Sequence, residues 1–292
     1  MLIETADPGA HAASGPGIGV LLPIMAFVFT AYLVVGIAMP VVPLYVHHDL
    51  VLSTFVVGLA AGTTFAAALL SRLAAGRAAD RRGAKHAVVV GLLAATAGGV
   101  FLTLSLAAAT STGAAVTLLL AGRALLGVAD SFTITGALSW GLARIGLQKG
   151  GTVMAWVGTA IYAAFALGAP LGSLLYAQDG FLAIALATIA FPLAALVLLA
   201  CIPYARIAQP LGRPAALALV ARAVWQPGLG LACGGVGFGA ITTFIALLFV
   251  ERGWEPIWLA FTVFSAALLR DACCSADSPT RGAGRRSRAC AR

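Results

Sequence analysis

Charge is scarce in this 292-residue chain. Asp, Glu, Lys and Arg make up 10% of it, against about 25% in a soluble domain. With 61% hydrophobic residues and a mean hydropathy of +1.01, the composition argues against a water-soluble enzyme and for an all-α integral membrane protein. Its five cysteines, Cys201, Cys233, Cys273, Cys274 and Cys290, form no C-x-x-C pair and have no histidine at metal-ligand spacing. Neither a disulfide framework nor a zinc site is indicated. The pair His47-His48 beside Asp49 reads as a turn, because a metal would need further ligands. No Gly-x-Ser-x-Gly, Walker or H-E-x-x-H pattern occurs, so no catalytic residues, metal or cofactor are assigned. Residues 1–17 contain no Lys or Arg. They cannot form the basic start of a signal peptide, and the first apolar run is expected to stay in the mature protein.

What the chain has is apolar runs. A hydrocarbon core of about 30 Å needs about 20 apolar residues per helix. Spans are expected near 18–45, 51–75, 87–109, 116–141, 151–176, 180–202 and 228–250. An eighth run, 257–269, is short for a crossing. Residues 203–227 carry Pro203, Pro210, Pro214 and Pro227 with Arg206, Arg213 and Arg222. They read as a cytoplasmic linker between a six-helix bundle, 1–202, and the first helices of a second one, 228–270. Residues 271–292 are polar and arginine-rich, without apolar periodicity, and are expected to be disordered. A frameshifted or truncated end is favoured there over a native polybasic tail on anionic lipid.

The net charge of +8 is uneven. The turns near 46–50, 110–115 and 177–180 have no Lys or Arg, and that at 251–256 has only Arg252. The stretch 72–86 carries five, and 144–150 carries Arg144 and Lys149. This alternation places the N-terminus and the 72–86 loop in the cytoplasm and the 251–256 turn outside. The charge therefore orients the chain in lipid, and nucleic acid is not an expected partner.

The densest charged patch ahead of the tail is Gly76-Arg77-Ala78-Ala79-Asp80-Arg81-Arg82-Gly83-Ala84-Lys85-His86. Gly76 and Gly83 would allow a tight turn with positive φ. Arg81, Arg82 and Lys85 would hold the loop to the cytoplasmic face, and the lone acid Asp80 calls for a fixed partner. The spacing Gly-x-x-x-Asp-Arg-x-Gly-x-Lys resembles the loop between the second and third helices of major facilitator superfamily transporters. Ala78 and Ala84 depart from the Leu and Arg often found there. The resemblance covers 18–270 and implies a fold of two related six-helix halves with a site near the midplane. It also implies that Asp80 helps hold the cytoplasmic side shut by docking on the second half.

Arg123 and Asp130 are the only ionisable residues deep within a span. Seven apart, they share one helix face, and intramembrane charge usually marks a pathway. Arg123-Ala-Leu-Leu-Gly127 is similar to the superfamily's fourth-helix pattern, whose Arg is associated with proton coupling. The family's common Glu is absent, and Asp130 is the nearest acid. Gly168-Ala-Pro170-Leu-Gly172 resembles the fifth-helix motif of efflux members. Thr133, Trp140, Trp156, Tyr162 and Thr243, with Thr135, Ser139, Thr242 and Phe244, are candidates to face a cavity. The resemblance thus implies a multi-pass transporter of the bacterial inner membrane, in the sugar and drug efflux branch. It would export a small molecule against protons as a monomer in lipid. The alternative is a truncated, non-transporting fragment of such a protein, since alternating access needs both halves.

Overall fold

The structure is a computed structural model that describes residues 21–108, 111–200 and 217–276. Seven helices carry the fold among them: α1 Leu22–Leu44, α2 Thr54–Arg82, α3 Ala84–Ala107, α4 Thr112–Ile145, α5 Gly150–Ala200, α6 Leu217–Glu251 and α7 Trp258–Ala276. Six helical segments are long and apolar enough to cross a membrane. One of these, 147–200, is two spans in one element. Gly180 breaks α5 at φ 64°, ψ −156°, a conformation that side-chain-bearing residues rarely adopt. Residues 150–179 and 181–200 are thus separate arms, and the first bundle has six spans.

Helix is the only open-chain answer in lipid, where each backbone N–H and C=O must find its partner within the segment. Hydroxyls follow the same rule. Thr30, Thr63, Thr96, Thr103 and Thr188 each donate to the carbonyl four residues back, which satisfies them without a second helix. Pro40 and Pro43 lie inside α1. Beyond them the chain widens into a π turn at Tyr45–Asp49. There Tyr45 stacks on Phe181, ring centroids 3.8 Å apart, and Tyr176 donates its hydroxyl to the Asp49 carboxylate at 2.8 Å. The two contacts tie this end of α1 to both arms of α5.

The main packed pairs are α1 with α5, α3 with α4, and α2 with α4. Small residues let the backbones approach. Gly168 and Gly172 of α5 lie against Gly36 and Ile37 of α1, and a Cβ at Gly168 would sit 2.8 Å from backbone atoms of both. Gly127 of α4 lies the same way against Thr64, Ala67 and Ala68 of α2. The aromatic Trp140 of α4 stacks on Phe27 of α1 at 5.7 Å. Thr262 of α7 donates to the Ala166 carbonyl of α5 at 3.1 Å.

Three boundaries differ from the sequence reading. The linker expected over 203–227 is helical from Leu217 onward, because 217–226 contains neither Gly nor Pro. Residues 203–216 lie outside the described residues. The short eighth run becomes α7, and its helix continues through 271–276, the start of the expected disordered tail. Residues 277–292 lie outside the described residues. Gly76 is not a turn: α2 runs through it to Arg82, and Gly83 alone reverses the chain at φ 95°.

Candidate functional site

A chamber of about 350 Å³ lies among α1, α2, α4, α5 and α6. Helix α4 presents Arg123, Leu126, Asp130 and Ile134 to it, the 3–4–4 spacing of one helix face. From α2 come Val57, Ala61, Thr64, Phe65 and Ala68 at the same kind of spacing. Helix α1 contributes Tyr32, Val35, Met39 and Val42 among others, α5 gives Ile161, Tyr162 and Phe165, and α6 gives Phe238, Thr242 and Thr243. Apolar side chains dominate the wall, and the ionisable groups it carries from α4 are the two that the sequence singles out.

Arg123 is anchored across helices. Its Nε donates to the Ala60 carbonyl of α2 at 3.4 Å. Asp130 lies two turns along the same face, about 10 Å at 1.5 Å per residue. The Tyr32 side chain is 5% exposed, and it lines the chamber with its hydroxyl turned toward Asp130. Phe165 stands between Tyr32 at 6.0 Å, Tyr162 at 6.3 Å and Phe238 at 6.5 Å, ring centroid to ring centroid. Rings from α1, α5 and α6 therefore form one connected wall.

Residues 24–270 match the family model described as Major Facilitator Superfamily. The chain belongs to that superfamily. It is 40% identical over 265 residues to an uncharacterized MFS-type transporter of Salmonella typhimurium, covering 90% of this chain and 68% of the relative. It is 38% identical over 254 residues to MFS-type transporters of Burkholderia mallei and Burkholderia pseudomallei, covering 85% of this chain and 61% of each relative. The chain thus spans about two thirds of the length of these relatives.

Several expected positions in this major facilitator chain fall elsewhere. Tyr162 and Thr243 line the chamber, as does Thr242. Thr133 and Trp140 do not: they lie on the buried 129–133–136–140 stripe of α4. Thr133 touches Gly91 of α3, and Trp140 sits against α1. Trp156 packs against the core around Trp140 and Val153. Phe244 is 43% exposed and stands near Gly58. Thr135 and Ser139 are half-buried and outside the chamber wall. The error is one of angle, because a polar residue on α4 faces the chamber only within the 123–126–130–134 stripe. Gly168 and Gly172 serve the α1–α5 contact, with Pro170 between them inside the helix. The basic motif is split by Gly83 between two helices: Gly76, Asp80 and Arg81 belong to the end of α2 and Lys85 to the start of α3. Asp80 and Arg81 are exposed, and Arg82 approaches His86 across the turn at 3.5 Å.

The sequence reading missed Tyr32, Thr64, Phe65, Phe165 and Phe238. The signal for Tyr32 was present, as it is a phenol in the middle of an apolar span. The three phenylalanines gave none, since in a span a chamber wall and a lipid-facing surface share one composition.

Proposed function

We propose that this chain forms the solute- and proton-handling bundle of a secondary transporter that exports a small sugar- or drug-like molecule in exchange for protons. The observation that carries the proposal is the pairing of Arg123 and Asp130 on one face of α4, toward a chamber large enough for a small molecule. A carboxyl group in an apolar wall can change its charge by taking a proton, whereas guanidinium keeps its charge under all ordinary conditions. Asp130 is the proton carrier in this reading, and Arg123, fixed to α2, is the constant partner. The close α1–α5 crossing at Gly168 and Gly172 supports a rigid bundle that moves as a unit. Asp80, Arg81 and Lys85 mark the cytoplasmic end, with Asp80 available to dock on another part of the transporter. The protein works as a carrier in the inner membrane, monomeric in lipid, with its N-terminus cytoplasmic and without catalytic residues.

The test is flux in liposomes holding this bundle within a transporter of the relatives' full length, with labelled arabinose and ethidium as one sugar and one drug-like probe. A proton gradient should drive saturable movement of a probe. Asp130→Asn should abolish the dependence on the gradient, and Asp130→Glu should keep part of it. Gradient-driven flux that is unchanged in Asp130→Asn would remove Asp130 from the mechanism. A second reading draws on the fact that the relatives extend well beyond the matched length: a membrane protein that binds the solute and does not move it. Binding with no flux of either probe would favour that reading.

A further inference from the structure

We propose that the joint between α4 and α5 binds the phosphate of an anionic glycerophospholipid through Arg144 and Lys149. The site lies apart from the chamber and does not rest on the transport reading. The first ground is an unsatisfied donor. Arg144 is half-buried in the last turn of α4. Its Nε is enclosed and has no hydrogen-bond partner among the described residues. A guanidinium keeps its charge and carries five N–H donors. Enclosing one of them without an acceptor is destabilising, so the position calls for an anion.

The local fold brings a second cation to the same joint. Gly146 ends α4 at φ 91°, which glycine adopts without strain. Its N–H donates to the Leu142 carbonyl at 2.8 Å. A single 3-10 turn, Leu147–Lys149, follows, closed by the Lys149 N–H on the Gly146 carbonyl at 3.2 Å. Helix α5 then starts at Gly150, where a Cβ would lie 3.5 Å from the Leu142 side chain. The chain has folded back beside the last turn of α4, with Arg144 just ahead of the reversal and exposed Lys149 just after it.

The face of α4 that carries Arg144 is known from its neighbours. Trp140 and Gly141 precede it by four and three residues and share that face. Trp140 stacks on Phe27 of α1 at 5.7 Å, and Gly141 meets Val153 of α5. Arg144 therefore closes the seam of α4 with α1 and α5 at the helix end. Of the described acids, Asp49, Asp179, Glu251 and Glu255 stand at the opposite ends of their helices. They cannot neutralise it.

The apolar surface beside the charges favours a lipid over free phosphate. Leu147, in the turn, is 83% exposed, and Met154, one turn into α5, is 59% exposed. In water both would be uncompensated apolar surface. At a bilayer edge they enter the acyl boundary while Lys149 stays among the headgroups, the arrangement of interfacial segments. The Lys and Arg count assigns this end of the bundle to the cytoplasm, where the leaflet is anionic. The Arg144 fork can hold two phosphate oxygens at once, and Lys149 adds a point charge.

The experiment is native mass spectrometry of the delipidated chain in detergent, titrated with dioleoylphosphatidylglycerol, dioleoylphosphatidylcholine or sodium phosphate. The first phosphatidylglycerol should bind severalfold more tightly than the first phosphatidylcholine, and inorganic phosphate should not displace it. Arg144→Gln and Lys149→Gln should each weaken phosphatidylglycerol binding about fivefold, the effect of one basic residue at an anionic surface. Arg144→Lys should keep part of the affinity, because the charge stays and the fork is lost. Arg252→Gln, in the turn between α6 and α7 at the opposite end, should leave it within twofold. Lys149 is exposed, so Lys149→Gln tests the site even where Arg144→Gln folds poorly. Unchanged binding in Lys149→Gln and Arg144→Gln, or an equal loss in Arg252→Gln, would overturn the site. Phosphatidylcholine binding as tightly as phosphatidylglycerol would overturn the anionic class. Displacement of phosphatidylglycerol by inorganic phosphate would overturn the lipid as its ligand.

Discussion

Replacing Gly168 with alanine tests the close contact on which the α1–α5 arrangement depends. A Cβ at this position would lie 2.8 Å from the Cα and carbonyl carbon of Gly36 and from the nitrogen of Ile37. Carbon atoms in good contact sit about 3.5–4.0 Å apart, so the two helices must separate by about 1 Å. These are backbone atoms and cannot rotate away as a side-chain tip could. Overpacking of this kind costs typically 1–3 kcal/mol, or roughly a 5- to 150-fold loss in the folding equilibrium at about 1.4 kcal/mol per tenfold. Gly158 supplies the contrast, since it lies in the same helix and a Cβ there would have nothing within 4 Å. Alanine at Gly158 should stabilise the chain by about 0.5–1 kcal/mol, because glycine inside a helix is entropically unfavourable. The assay is unfolding by SDS titration in mixed micelles, followed by tryptophan fluorescence; Trp140, stacked on Phe27 of α1, reports the seating of that helix. The two substitutions should shift the midpoint in opposite directions. A Gly168→Ala variant as stable as Gly158→Ala would refute the contact argument.

Further outcomes follow from other parts of the bundle. Tyr176→Phe removes the hydroxyl that bonds Asp49 at 2.8 Å and should lower stability by about 0.5–1.5 kcal/mol, read by the same titration. No loss would mean that water replaces the bond fully. Trp140→Phe should leave ethidium affinity within twofold while lowering stability, whereas Tyr162→Ala, in the chamber wall, should lower affinity severalfold. Equal effects on binding would place Trp140 in the chamber after all. In cells, a membrane-impermeant maleimide should label Arg252→Cys but not Arg81→Cys, in a background free of other cysteines. The reverse pattern would overturn the orientation drawn from the Lys and Arg count.

The spans were legible because a bilayer imposes length and apolarity on each of them. Even Gly180, which divides α5, fell at the expected turn. The charged face of α4 was legible for a similar reason: Arg123 and Asp130 are costly in lipid and stand out against Ala, Leu and Gly. Helix rotation was harder to read. Thr133 and Trp140 are as polar or aromatic as Tyr162, yet they turn toward α3 and α1, and no periodicity separates the faces of a helix that is apolar all round. Helix ends were harder still. Prolines and arginines around 203–227 gave the appearance of a loop, while the alanine- and leucine-rich stretch from Leu217 forms helix up to and through Pro227.

The length of α2 bears on depth. At 29 residues it is about 44 Å long at 1.5 Å per residue, more than a hydrocarbon core of about 30 Å can cover. Its last turns carry exposed Arg77 and Arg81 on successive turns, and arginines at the end of a span would stand at the level of lipid phosphates. Because these residues are helical and not part of a loop, they work as a depth gauge. Thr64, which opens onto the chamber, is thirteen residues from Arg77, or about 20 Å along the rod. Half of a bilayer with its headgroups is about 20–22 Å. Arginines anchored at one surface would set the chamber near the middle of the membrane.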